Sequence, residues 1–132
     1  MLAFAPAWPR LHAAVIVIEA LSAAGDHDGL AAFLPVGRGL NGGLALLPPT
    51  CDRAEGDIAA AGGDTAAAHR LWARALEGFE RVGVPYEAAR SRERLAATSS
   101  DDAATVLLEN ALATYEEMQA APSAERVRAA LA

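Results

Sequence analysis

Asp64-Thr65-Ala66-Ala67-Ala68-His69-Arg70-Leu71-Trp72-Ala73-Arg74-Ala75-Leu76-Glu77-Gly78-Phe79-Glu80-Arg81-Val82-Gly83 is the stretch that decides the fold. Its apolar residues Ala68, Leu71, Trp72, Ala75, Leu76, Phe79 and Val82 recur in steps of three and four. That spacing gathers them into one stripe on an α-helix and would scatter them over both faces of a strand. Asp64 can offer a side-chain oxygen to the free N–H groups of the first turn. Gly83 follows the last apolar position and Pro85 comes soon after, which is how helices are commonly closed. The expectation is a helix from Thr65 to Val82, with Trp72 as a core anchor.

A second helix, from about Asp101 to Gln119, carries the same stripe in Ala104, Leu107, Leu108, Ala111, Leu112, Tyr115 and Met118. Each stands 36 residues after its counterpart, and four of the seven pairs are identical. The offset also pairs Glu80 with Glu116, Arg90 with Arg126 and Leu95 with Leu131. A period in the middle thirties is that of helical-hairpin repeats. Between the two long helices a shorter one is expected over Tyr86 to Ala97. Ala88, Ala89, Leu95 and Ala96 would face inward, and Glu87, Arg90, Arg92, Glu93 and Arg94 would form its outer face. Ser123 to Leu131 should close the chain, with Ser123 as cap. Thr50 to Ala61 reads as the partner of the first long helix, led in by Pro48 and Pro49.

The first 49 residues repeat less well. Pro9 to Ala24 reads as a helix stopped by Gly25. Val15-Ile16-Val17-Ile18 suits a strand on propensity, but the flanking Ala and Leu residues at helical spacing favour helix. Asp28 to Leu34 is a short helix ended by Pro35, and the glycine-rich Val36 to Gly43 is a loop. The chain is thus one helical-repeat domain over 1–132, irregular over 1–49 and built of hairpins over 50–132.

Composition limits the function. Of the 132 residues 53% are hydrophobic but only 5% aromatic, so the apolar surface is mainly Ala, Leu and Val. Ala is the strongest helix former, while sandwiches and barrels favour β-branched and aromatic residues. All 11 basic residues are Arg, which with abundant Ala, Gly and Pro suggests a bacterial gene of high G+C content. A net charge of −6 argues against direct nucleic-acid binding, which needs a basic surplus. Leu11 to Leu21 is too short to span a bilayer, and Glu19 interrupts it where a signal peptide would be uncharged. Cys51 is the sole cysteine, so no internal disulfide can form. The expected setting is cytoplasmic, without membrane contact.

Gly63-Asp64 followed by Ala68, Trp72 and Ala75 resembles the second helix of a tetratricopeptide repeat, and Ala104, Leu108 and Ala111 repeat that spacing. Gly56 falls where the first helix of such a repeat often has a small residue. The late Pro85 and the 36-residue period depart from the family pattern. Leu71 to Leu76, then Gly83-Val84-Pro85-Tyr86-Glu87-Ala88-Ala89-Arg90 and Leu95-Ala96, is similar to the C-terminal helical repeats of large bacterial regulators. These include ATP-binding LuxR-type activators and multidomain class III nucleotide cyclases. The resemblance covers about Thr50 to Ala132. It implies antiparallel helical hairpins stacked as a short solenoid, which sense ligands or partners while other domains do the chemistry.

Candidate chemistry is sparse. Asp26-His27-Asp28 would be a metal cluster only if adjacent turn residues converged and a further ligand were supplied. Cys51 with His12 or His69 lacks a nucleophile motif. Gly37 to Gly43 lacks the strand and helix of a phosphate loop. No cofactor, metal or catalytic residue is therefore expected. The expected function is protein–protein interaction or regulatory sensing; a small-molecule sensor using the groove between hairpins is the competing reading. Two surfaces are candidates for contact. Arg90, Arg92 and Arg94 could dock an acidic partner, although surface pairing with Glu87 and Glu93 explains them more simply. Ala13, Ile16, Val17 and Ala20 form a second apolar face on the first helix, beside Leu11, Ala14, Val15, Ile18 and Leu21. A helix apolar nearly all round is normally buried on both sides, so a homodimer through it, or an upstream partner domain, is expected.

Overall fold

The computed structural model describes residues 8–40 and 44–132, with side chains from Arg10 onward. The described residues form seven helices and no strand: α1 (Trp8–Ala23), α2 (His27–Gly39), α3 (Leu47–Ala61), α4 (Thr65–Val82), α5 (Pro85–Ala96), α6 (Asp101–Glu117) and α7 (Ala121–Leu131). The bounds of α4 are those read from its stripe, and Val15 to Ile18 lie within a helix.

Each helix packs on the next in the chain. A Cβ on Gly78 would meet Pro49, and one on Gly56 would meet Trp72, so α3 and α4 run antiparallel. Leu11, Ala14 and Ile18 of α1 join Leu30 and Leu34 of α2 and Leu47, Cys51 and Ala54 of α3 in one buried cluster. Ala68 and Trp72 pack with Leu95, and Ala75 and Phe79 pack with Ala88. Ala89, Ala111, Tyr115, Ala124 and Val127 bury the last three helices. The α4 stripe is thus mainly core, whereas in α6 only Ala111 and Tyr115 are buried and Leu107, Leu108 and Leu112 are half-buried against the clusters. The last members of both stripes, Val82 and Met118, are exposed.

The helix starts alternate in kind. Those of α2, α4 and α6 are capped by Asp26, Asp64 and Ser100, whose side chains accept from Gly29, Ala67 and Ala103 N–H. Those of α3, α5 and α7 have no side-chain cap and carry Pro in the first two positions. Pro48, Pro85 and Pro122 stand 37 residues apart. Proline suits that place because its missing N–H would have no partner there.

Several expectations fail. Pro35 does not end α2; it sits inside a helix running to Gly39. Past Pro35, Gly37 lies buried at van der Waals distance from Cys51 and Ile18 for an added Cβ, and Arg38 bonds Asp52 and Glu55 of α3. These contacts hold a turn that proline alone would weaken. The expected loop therefore starts only after Gly39, and its Asn41 to Gly43 part lies outside the described residues. Ser123 is not a cap: α7 begins before Pro122, and Ser123 is buried in its first turn. The polar side of α5 is not an open outer face. Arg90, Arg92 and Arg94 are each less than a quarter exposed and lie against carboxylates of other helices.

Candidate functional site: a charged seam along alternate helices

α1, α3, α5 and α7 are joined by long polar side chains. Glu19 interrupts the apolar run of α1, and Arg53 sits among the buried residues of α3. Arg53 is only 3% exposed at its side chain and places Nη2 2.6 Å from both Glu19 and Glu87. Its guanidinium lies 4.7 Å from the centre of the Phe79 ring, an attractive contact for a cation. Glu19, Arg53 and Glu87 are spaced 34 residues apart along the chain and alternate in sign. Arg90 closes the group, with Nη1 2.6 Å from Glu19 and 3.1 Å from Glu87. Burial pushes the Glu19 carboxyl up, but Arg53 and Arg90 outweigh it and hold the group below its ordinary value.

The seam continues toward α7. Asp57 accepts from Arg94 Nε at 2.8 Å and from Trp72 Nε1 at 3.0 Å. Arg126 bonds Glu93 through Nε and Nη2, both at 2.8 Å, the fork geometry that makes arginine–carboxylate pairs strong. Tyr115 also donates to Glu93, at 2.5 Å. Burial raises Glu93, yet the Arg126 and Tyr115 hydrogen bonds hold it below the usual carboxylate range. Burial and the Glu93 contact together raise the Tyr115 phenol. On the other side of α3, Asp52 receives Arg38 of α2 at 2.6 Å and Arg74 of α4 at 2.8 Å.

Between α5 and α7 this seam opens into a cleft of about 480 Å³ lined by Tyr86, Arg90, Glu93, Arg94, Ser123 and Arg126. Arg90 and Arg94 of the expected basic set reach it. Arg92 does not: it lies against Glu80 at 3.8 Å and lines a separate pocket with Phe79, Val84 and Ala88. Of the apolar set on α1, Ala13, Ile16 and Ala20 are exposed and Val17 is half-buried. Ile16 is 67% exposed, the most of any large apolar side chain described.

The remaining candidates have local roles. Asp26 caps α2, and no group of three His, Cys, Asp or Glu residues able to hold a metal occurs among the described residues. Cys51 is buried, and burial pushes its thiol up; that disfavours the thiolate a nucleophile needs. His69 Nδ1 lies 2.8 Å from Thr98 Oγ1. Gly37 and Gly39 lie within α2. Glu19, Arg53, Asp57, Glu93, Ser123 and Arg126 were not singled out as site residues by sequence. The available signal was a lone acid in the apolar α1 and a lone Arg in α3. No helix of the described residues is long and apolar enough to cross a membrane. No protein family, curated protein or solved structure matches the chain.

Proposed function

We infer that the chain is a non-catalytic helical-hairpin module of the tetratricopeptide-like kind, used for protein–protein interaction or regulatory sensing within a bacterial, cytoplasmic signalling system. The observation that carries this reading is the repeated construction: three helices started on proline alternating with three started on a side-chain cap. Stacked hairpins of this kind bury their cores between neighbours and leave one extended face for a partner. The charged seam supports a recognition role. Guanidiniums are permanent donors, and carboxylates held below their usual range do not exchange protons near neutral pH.

Self-association through α1 belongs to the same reading. Ile16, with Ala13 and Ala20 beside it, presents apolar surface that none of the described helices covers, and the small Ala side chains allow a second helix to approach closely. Light scattering on the purified chain tests it. The expected mass is twice the 13.6 kDa of one chain, and Ile16→Arg should return it to one chain with the helical signal intact. A wild-type monomer at high micromolar concentration would refute the dimer.

The partner role is tested by hydrogen exchange on the chain bound to whatever protein its native regulator or neighbouring gene supplies. Protection concentrated on α1, α3, α5 and α7 is expected; protection spread over α2, α4 and α6 would refute use of the seam. The competing small-molecule reading rests on the α5–α7 cleft. It gains if native mass spectrometry finds a retained ligand and loses if the chain carries none and binds none.

A further inference from the structure

The hydrogen-bonding capacity of the α5–α7 cleft is lopsided. Arg90 makes both its carboxylate contacts through Nη1. Its Nε and Nη2 make no hydrogen bond among the described residues. Those two nitrogens form the side-on edge of a guanidinium, the edge Arg126 uses to grip both oxygens of Glu93. Arg126 in turn has Nη1 left over. Ser123 is only 7% exposed, lines the cleft, and its hydroxyl makes no hydrogen bond within the described chain. Tyr86 also lines the cleft, and its hydroxyl makes no hydrogen bond among the described residues. The one carboxylate of the lining, Glu93, has both oxygens already accepting. The described residues of the lining therefore carry several vacant donors, while the one carboxylate among them is occupied.

A ligand that satisfies such a lining must bring acceptors. Two oxygens on one planar or tetrahedral centre match the open Arg90 edge, as carboxylates and phosphates match arginine forks generally. A third acceptor position can be met by Ser123, which stands in the first turn of α7, where no side chain caps the free N–H groups. Helix starts favour negative charge for that reason. The guanidiniums are already held by Glu19, Glu87, Asp57 and Glu93, so the site has little excess charge and relies on directed hydrogen bonds. That favours an oxyanion group on a larger ligand over loose attraction of salt.

We propose that the cleft between α5 and α7 is a recognition site for an oxyanion group, carboxylate or phosphate, gripped by the Nε–Nη2 edge of Arg90 and by Ser123. The inference deepens the reading of this chain as a binding module. Its failure would leave self-association through α1 untouched, because no apolar residue of α1 lines the cleft. The test is a nuclear magnetic resonance titration of the full chain with two separate probes, succinate and inorganic phosphate, at low salt. The expected result is a saturable shift centred on the Arg90 Nε–H and Ser123 amide signals. Ser123→Ala and Arg90→Lys should each weaken binding about tenfold, the worth of one charge-assisted hydrogen bond. Arg81→Ala, in an exposed pair with Glu77, should leave it unchanged. Lysine keeps the charge of Arg90 and loses the fork, while Ser123→Ala disturbs no ion pair, so one variant remains informative if the other fails to fold. Binding of both probes, or of one alone, supports the proposal and identifies the oxyanion source. No saturable shift up to tens of millimolar overturns it. Shifts that survive unchanged in both variants also overturn it and mark an adventitious ion only.

Discussion

Gly56→Ala puts the α3–α4 contact to a quantitative test. A Cβ built on Gly56 falls 2.5 Å from Trp72 Nε1 and 3.1 Å from its Cγ, well inside van der Waals contact. The indole cannot yield cheaply. Trp72 is buried, and its Nε1 donates to Arg53 O at 3.2 Å and to Asp57 at 3.0 Å. Overpacking of this kind costs about 1–3 kcal/mol. Displacing the indole from one of its two acceptors adds about 1 kcal/mol. Alanine returns about 1 kcal/mol through its better helix propensity. The net expectation is a loss of about 2 kcal/mol, which for a chain of this size lowers Tm by roughly 8 °C. Gly39→Ala is the matched control. It lies at the end of α2 outside the left-handed region, with nothing within 4 Å of the added carbon, and should gain about 0.5 kcal/mol. Thermal unfolding followed by circular dichroism reads both. If Gly56→Ala melts at or above wild type, the close approach of α3 to Trp72 is wrong.

Arg53→Met leaves Glu19 and Glu87 sharing Arg90 alone and should cost about 3 kcal/mol in urea unfolding; a loss below about 1 kcal/mol would refute the buried pairing. The acid response follows from Glu19 and Glu93, which the folded chain holds below their ordinary value of 4.5. A depressed carboxyl contributes stability that is present above its unfolded value and lost as pH falls through the folded one. Stability should therefore fall as pH drops below about 4.5, and Glu93→Gln should flatten that fall; an unchanged slope would count against the Glu93 contacts. Cys51 should react with iodoacetamide slowly in buffer and rapidly in guanidinium, because burial both shields the thiol and raises its pKa; equal rates would contradict its burial.

The strongest periodic segments were legible because burial along them depends only on the chain's own 3.6-residue repeat. That is why α4 begins and ends where its stripe, Asp64 and Gly83 place it. The second helix was harder. Propensity at Pro35 and Gly37 favours a break, and what overrides it is tertiary: Gly37 packed on Cys51 and Ile18, and Arg38 drawn to Asp52 and Glu55. One clue to the first hairpin was present. Gly25-Asp26 repeats Gly63-Asp64, and Gly25 and Gly63 both adopt the left-handed conformation that glycine tolerates. The seam was legible only in part. A helical wheel shows that α5 has a polar side, but it cannot tell solvent from carboxylates 37 or 71 residues away. Only the order in which helices pack brings Glu19 to Arg53 and Arg90, and Asp57 to Arg94.

The reach of Arg90 to Glu19 alters how this chain should respond to dissection. In an ideal linear array each repeat communicates with its immediate neighbours, and stability is a sum of unit and interface terms. Here one ion pair spans 71 residues and ties the first helix directly to the fifth, skipping the hairpin between them. That adds a coupling beyond nearest neighbours, the kind that sharpens a gradual unzipping into a single transition. Removing α1 and α2 would take away Glu19 and leave Arg53 and Arg90 to share one carboxylate, Glu87. A cut before Leu47 that spares every residue of the later hairpins should therefore still weaken α5, at a distance that a contact-by-contact view of domain boundaries would call safe.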